Sequence, residues 1–140
     1  MAHVDQTGDW AERIAPTLEE IKSIALEAYA HFPEEIREVA SDIVIDVADF
    51  PSDNIIDDLG LETPFDILSL FEGTGPAELW TPGNKEGPNR VTLYRRALLD
   101  YWCDNEEPLG AIIAQVLLHE IAPHYGFDDE DIDDMEEIME

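Results

Sequence analysis

The residues best suited to chemistry are a His-Glu pair, His119 and Glu120, at the end of a long apolar run. In an α-helix, two histidines four residues apart lie on one face and can share a zinc ion. A glutamate directly after the first histidine can then take a proton from a zinc-bound water molecule. The pair therefore indicates metal-assisted hydrolysis, with His119 as a ligand and Glu120 as the general base.

Proline occupies position 123, where the second histidine of such a site would stand. Proline has no ligating atom, and inside a helix it costs about 3 kcal/mol through its ring and its missing N–H. His124 follows one residue later, which on a regular helix turns it about 140° away from His119. A helix broken or bulged at Pro123 would turn His124 inward and make it a zinc ligand. Zinc binding therefore depends on the helix geometry at this proline.

The elements that would position these residues are several helices and a few short strands. Thr17 and Glu20 have the spacing of a capping box and predict a helix that ends at Pro33. Alternation and short apolar runs predict three strands, and turn residues and apolar runs predict further helices. Because strands and helices do not alternate regularly, we expect an α+β fold with a small mixed sheet of about three strands. The predicted strands cover residues 43–48, 68–71 and 90–95, and the further helices cover 34–40, 53–59, 97–103 and 108–120.

Length and composition favour one domain, residues 16–140, after a flexible lead-in, residues 1–15. Residues 74–90, around Trp80 and Lys85, are rich in glycine and proline and predict an irregular loop in which Trp80 could line a substrate groove. Cys103 is expected in the core. Arg95 and Arg96 could hold a carboxylate, or balance nearby acids.

The last thirteen residues carry nine acids and are interpreted as a solvated acidic segment. Four acids, Asp129, Asp131, Asp133 and Glu140, have the spacing of a calcium loop, but Asp134 stands where that loop needs a glycine.

Charge is the extreme property of the chain, because 34 acids face seven lysines and arginines and give a net charge of −27. Such a chain repels nucleic-acid phosphate and anionic membranes, so we expect neither as a partner. The acids fit a protein from an acid-rich proteome; alternatively they fit a DNA mimic or an inhibitor of a basic partner. Since no secretory signal or membrane-length apolar run is visible, we expect a cytoplasmic protein.

Several short segments, spread over about residues 17–135, together form a specific pattern. They are FPEE from Phe32, DIVI from Asp42, VADFP from Val47, DLGLETPFD from Asp58, LFEG from Leu70, VTLYRR from Val91, LLD from Leu98 with Trp102, HEI from His119 and HYG from His124. As a set they resemble the small bacterial family of predicted metallopeptidases with a minimal zincin fold. The resemblance implies a compact α+β zincin core, one zinc ion and peptidase activity of unclear substrate. In the zincin pattern H-E-x-x-H-x-x-G-x-x-H/D, it assigns His119 as first ligand, Glu120 as base, Gly126 as the turn and Asp129 as third ligand.

Two classes of function follow from these residues. The first is a metallopeptidase-like protein with a degenerate zinc motif and weak or no peptidase activity; its active alternative would use His119, His124 and Asp129 for zinc. The second is a non-catalytic relative that binds peptides or protein partners. The expected partner is in each case a peptide or protein, and zinc content would separate the two classes.

Overall fold

In the computed structural model of the chain, residues 10–73 and 89–139 are described. The described part combines helices with three short strands. In chain order the elements are α1 (Leu18–Ala30), α2 (Glu34–Val39), β1 (Val44–Ala48), α3 (Asp53–Leu59), β2 (Ser69–Glu72), β3 (Arg90–Tyr94), α4 (Arg95–Cys103), α5 (Leu109–Ile121), a 3-10 turn (Ala122–Tyr125) and α6 (Asp129–Met139).

The starts of α1 and α3 follow from side chains that satisfy free backbone donors. Thr17 Oγ accepts the Glu20 N–H at 3.1 Å, and the Glu20 carboxylate accepts the Thr17 N–H at 2.9 Å, so the predicted capping box is confirmed. Ser52 caps α3 by accepting the Ile55 N–H, and Gly60 ends that helix with a φ of 65°. A left-handed residue at this position favours glycine.

The strands form one mixed sheet in the order β1-β3-β2. β1 and β3 run parallel, with Val44 opposite Arg90, and β2 runs antiparallel to β3, with Ser69 opposite Leu93. This sheet confirms the predicted α+β class with about three strands. Its topology makes β3 the central strand and leaves β2 at an edge beside α5.

One side of the sheet is covered by α1 and α5, which pack against each other. α1 contacts β1, and α5 contacts β2 and β3. Val91 and Leu93 of β3 are fully buried, as are Leu117 and Leu118 of α5. Burying such side chains contributes about 1.5–3 kcal/mol each, so the sheet fixes where α5 ends and where His119 and Glu120 lie.

Helix α6 replaces the solvated segment expected at the acidic end of the chain. Ile132 and Met135 are buried in the core, and Met139 packs against it. These residues are spaced three and four apart, so they form an apolar stripe on an otherwise acidic helix. The prediction of a solvated segment was wrong because it relied on the nine acids and overlooked the helical spacing of three apolar side chains.

The prediction that Cys103 lies in the core was also wrong, because this residue is exposed. It is the last residue of α4, whose buried residues are Ala97 and Leu98. Five helical residues after Leu98, Cys103 is turned about 140° from that buried side chain.

Part of the predicted organisation lies outside the described residues. Residues 1–9 of the lead-in and residues 74–88, with Trp80 and Lys85, belong to that part. Residues 10–15 are exposed, and the domain boundary at residue 16 stays a prediction. Among the helices that are described, none has the length and apolar character needed to cross a membrane.

Candidate functional site

Helix α5 brings the His-Glu pair to the edge of the sheet and changes geometry directly after it. The α-helix ends at Ile121, and a 3-10 turn follows over Ala122–Tyr125. Pro123 lacks the N–H that would bond to the His119 carbonyl, so a regular α-helix loses a hydrogen bond here. Gly126 then ends the turn with a φ of 90°.

The 3-10 turn places His124 beside Glu120 and over Phe71. His124 Nε2 lies 3.9 Å from Glu120 Oε2. The His124 ring stacks on the Phe71 ring, with centroids 4.0 Å apart and an angle of 11° between the planes. The sequence left the geometry at Pro123 open; in the structure the α-helix gives way to a 3-10 turn, and His124 lies beside Glu120 and Phe71.

Glu120 binds strand β2 through both of its carboxylate oxygens. Oε1 accepts the Ser69 hydroxyl at 2.7 Å, and Oε2 accepts the Phe71 backbone N–H at 3.0 Å. The Leu68 carbonyl faces β3, because it accepts the Tyr94 N–H. Backbone groups of successive strand residues face opposite sides, so the Phe71 N–H, three residues after Leu68, faces away from β3. Glu120 thus satisfies a donor on the side of β2 that faces away from β3.

The charge of Glu120 also acts on a neighbouring tyrosine. Burial raises the pKa of Tyr94, and the carboxylates of Glu72 and Glu120 raise it further because they oppose a phenolate.

His119 is engaged elsewhere, by helix α6. Its Nε2 lies 2.5 Å from Glu136 Oε1, and the carboxylate accepts the imidazole N–H. Glu136 reaches this position because Ile132 and Met135 bury the inner side of α6 against the core. The side chains of His119 and Glu136 both remain partly exposed to solvent. His119 and His124 therefore contact different carboxylates.

Asp129, the predicted third ligand, is the first residue of α6 and is exposed. Its neighbours form the cap of that helix: Asp128 accepts the Asp131 N–H at 2.8 Å, and Asp131 accepts the Asp128 N–H at 3.0 Å. The calcium-loop spacing noted in the sequence therefore falls on a capped helix.

The arrangement of these donors does not fit a catalytic zinc ion, which needs three protein ligands around one point. His119 is bonded to Glu136, His124 lies beside Glu120, and both Glu120 oxygens accept hydrogen bonds. Over residues 10–73 and 89–139, no three His, Cys, Asp or Glu side chains are grouped so that they could hold a metal. The assignment of His119, His124 and Asp129 as ligands stays a prediction.

The arginine pair after β3 binds a carboxylate of the same chain. Arg95 Nη1 lies 3.1 Å from Asp49 Oδ1, and its Nε donates to the Pro16 carbonyl at 2.6 Å. Arg96 Nε lies 3.8 Å from the same Asp49 oxygen. Of the two alternatives left by the sequence, the structure thus favours charge balance within the fold.

A buried hydrogen bond between Asn89 and Tyr125 lies next to Phe71. Asn89 Nδ2 donates to the Tyr125 hydroxyl at 2.9 Å, and the Tyr125 ring meets Phe71 edge-on. Burial and the charge of Asp42 raise the pKa of Tyr125 to about 12, although the hydrogen bond from Asn89 by itself lowers it. At Gly73, which has a φ of 144°, a Cβ would collide with Asn89 Oδ1, so only glycine fits there.

Sequence reasoning missed Ser69, Phe71 and Glu136 as neighbours of the His-Glu pair. Ser69 and Phe71 come from a strand about fifty residues earlier, and nothing local links them to Glu120. A signal for Glu136 does exist. It directly follows Met135 on the apolar stripe of α6, so a helical interpretation of this segment would have placed it beside the core.

Comparisons with known proteins agree with this architecture. Residues 40–138 match the family model described as zincin-like metallopeptidase. A solved structure, a conserved hypothetical protein from Thermus thermophilus, is similar with a TM-score of 0.52 and 19% identity. That match covers 77% of this chain and 92% of the other, and at this identity it supports the fold alone. The search of curated proteins gave no match.

Proposed function

The chain belongs to the zincin-like metallopeptidase family, and we propose that it is a member with a degenerate zinc motif and weak or no peptidase activity. The proposal is carried by one observation: both carboxylate oxygens of Glu120 bind strand β2, through Ser69 and Phe71. A general base must be free to take a proton from a water molecule. Here the same carboxylate stabilises the edge of the sheet.

The side of β2 that faces away from β3 supports the same proposal. An extended peptide can add to a sheet edge by pairing with its outward N–H and C=O groups. At this edge the Phe71 N–H already donates to Glu120. A peptide that paired here would have to displace the carboxylate, which makes substrate binding and the present contact compete.

The residue at position 123 also supports the proposal of a degenerate zinc motif, because it affects zinc binding. Pro123 supplies no ligand, and the 3-10 turn directs His124 toward Glu120. A site that lacks one imidazole loses several kcal/mol of the roughly 10–16 kcal/mol measured for complete structural zinc sites. We therefore expect zinc to bind weakly, if the chain is prepared without a histidine tag and stripped with chelator.

The test is calorimetric zinc titration of the native chain, Pro123→His and Pro123→Ala. Pro123→His restores the four-residue spacing with His119, so its zinc affinity should rise by at least about 100-fold, as several kcal/mol imply. Pro123→Ala removes the ring without adding a ligand and should stay near the native value. Peptidase activity gained by Pro123→His should be lost again with Glu120→Gln.

A second candidate is an active zinc peptidase that uses His119, His124 and Asp129, with Glu120 as base. The observation that favours it is the turn at Pro123, which brings His124 within 3.9 Å of Glu120. If the native chain retains one tightly bound zinc per molecule and loses it with His124→Ala, this candidate replaces the first.

A further inference from the structure

Helix α3 and its flanking residues form a surface that the rest of the described fold leaves uncovered. None of the α3 residues is buried. Phe50 and Phe65, at the two ends of this segment, meet edge-on with centroids 5.4 Å apart, yet they are 41% and 45% exposed. Leu59 of α3 is 50% exposed. We call residues Phe50–Asp66 the α3 surface.

The acids of this surface have no basic partner among the described residues. Between Arg37 and Gly73 the sequence contains no lysine, arginine or histidine. Asp53, Asp57 and Asp58 of α3 form no ion pair with another described residue. By contrast, Asp46 and Asp49, just before this surface, pair with basic residues of the chain. The α3 surface thus combines exposed aromatic and aliphatic side chains with acids that no described residue neutralises.

We propose that the α3 surface docks a basic protein segment that presents lysine or arginine beside apolar side chains. Positive side chains would meet the three aspartates of α3, and apolar ones would cover Phe50, Leu59 and Phe65. Aromatic residues of this kind dominate binding energy once water is excluded from them. A second copy is disfavoured because each chain carries a charge of −27. The proposal is independent of the zinc motif, since the surface contains none of its residues.

The test is a titration of the isotope-labelled chain, followed by amide NMR shifts, with two synthetic peptides of equal length and charge. One peptide carries lysines and, at helical spacing, leucines; the other has serine at every leucine position. The leucine peptide should bind at least about tenfold more tightly, because its apolar contacts add to a shared electrostatic attraction. Its shifts should be confined to residues 50–66.

Substitutions then separate the apolar contribution from general acidity. Phe65→Ser and, outside the aromatic pair, Leu59→Ser should each weaken the leucine peptide by about tenfold, the effect of losing one contact that dominates binding. Ile138→Ser is the matched control, because Ile138 is 71% exposed on a different helix, and it should change nothing. Circular dichroism melts establish that each variant is folded.

A charge variant completes the test. Neutralising Asp53, Asp57 and Asp58 to asparagine should weaken binding more than neutralising three exposed acids of α6, Asp133, Asp134 and Glu137.

Three results would overturn the proposal. The two peptides could bind equally with shifts spread over all acidic residues, which would mean general attraction to a polyanion. Phe65→Ser and Leu59→Ser could both leave the affinity unchanged in folded protein. Sedimentation at 1 M salt could reveal a dimer that the same variants abolish, which would make a second copy the occupant.

Discussion

Glu120→Ala is expected to destabilise the fold, because Glu120 is the only carboxylate described that binds the Phe71 N–H at the edge of the sheet. Phe71 is buried, so its N–H would be left without an acceptor. The Ser69 hydroxyl would lose its partner as well, but it is only half-buried and can reach water. The larger loss therefore arises at Phe71.

The size of the effect follows from these two hydrogen bonds. An unsatisfied buried donor costs about 1–3 kcal/mol, and a hydrogen bond to a charged group contributes about 1.5–3 kcal/mol when it is buried. Since the Glu120 side chain is 24% exposed, we take about 2–3 kcal/mol for the whole substitution. With 140 residues, the unfolding entropy is about 0.3 kcal/mol/K, so the melting temperature should fall by roughly 7–10 °C.

The assay is thermal unfolding in the presence of a chelator, so that bound metal adds no stability. Glu120→Gln is the matched control. Its amide oxygen can accept the Phe71 N–H while its amide nitrogen donates to the Ser69 oxygen, so the loss should stay below about 1 kcal/mol. Ser69→Ala and the double variant complete a cycle, whose coupling energy isolates the hydroxyl–carboxylate contact.

A catalytic role without a structural one predicts a different result. If Glu120 served only as a general base for a metal-bound water, its carboxylate would bind no other group in the folded chain. Replacing it with alanine would then leave the melting temperature unchanged or raise it. If Glu120→Ala melts within 1 °C or so of the native chain, a shift worth only about 0.3 kcal/mol, Glu120 does not hold β2. The observation behind the proposed function would then be removed.

Two further predictions concern the buried contact beside Phe71. Gly73→Ala should destabilise the chain by about 1–3 kcal/mol in chemical unfolding, because the new Cβ enters a strained φ and meets Asn89. Gly60→Ala meets no atom and should lose about 1–2 kcal/mol, from its left-handed φ alone. Tyr125 has its pKa raised from 10.0 to about 12, so the folded state holds the phenolic proton more tightly than the unfolded state. This contribution is complete below pH 10 and should be lost as the pH rises from 10 to 12. Tyr125→Phe should flatten that decline in stability, and an unchanged alkaline slope would contradict the assignment.

Local signals predicted most elements of the fold. The capping box at Thr17, the turn residues that flank α3, and the alternation around Val91 all rest on contacts within a few residues, and all three elements form as expected. The family resemblance added the zincin-like class, which the match over residues 40–138 supports.

The candidate site was predicted less well, because its contacts join distant segments. Pro123 marked the position where the helix could break, because its missing N–H is a local property, but the 3-10 turn itself could not be predicted from the sequence. The partners of Glu120 lie in β2, and they depend on the order of strands in the sheet. Glu136, the partner of His119, lies on α6, a segment that its acidic composition alone predicts to be solvated.

The strand order has a consequence for how the chain folds during synthesis. Among the described strands, β1 and β2 do not pair with each other; each pairs with β3, which leaves the ribosome after both. Val44 pairs opposite Arg90, and the chain between them is about a third of the 140 residues. Contacts this far apart in sequence carry a large loop-closure entropy and slow folding. The nascent chain therefore carries β1 and β2 without their common partner until Arg90–Tyr94 appears, and its many negative charges oppose the joining of those strands to other chains.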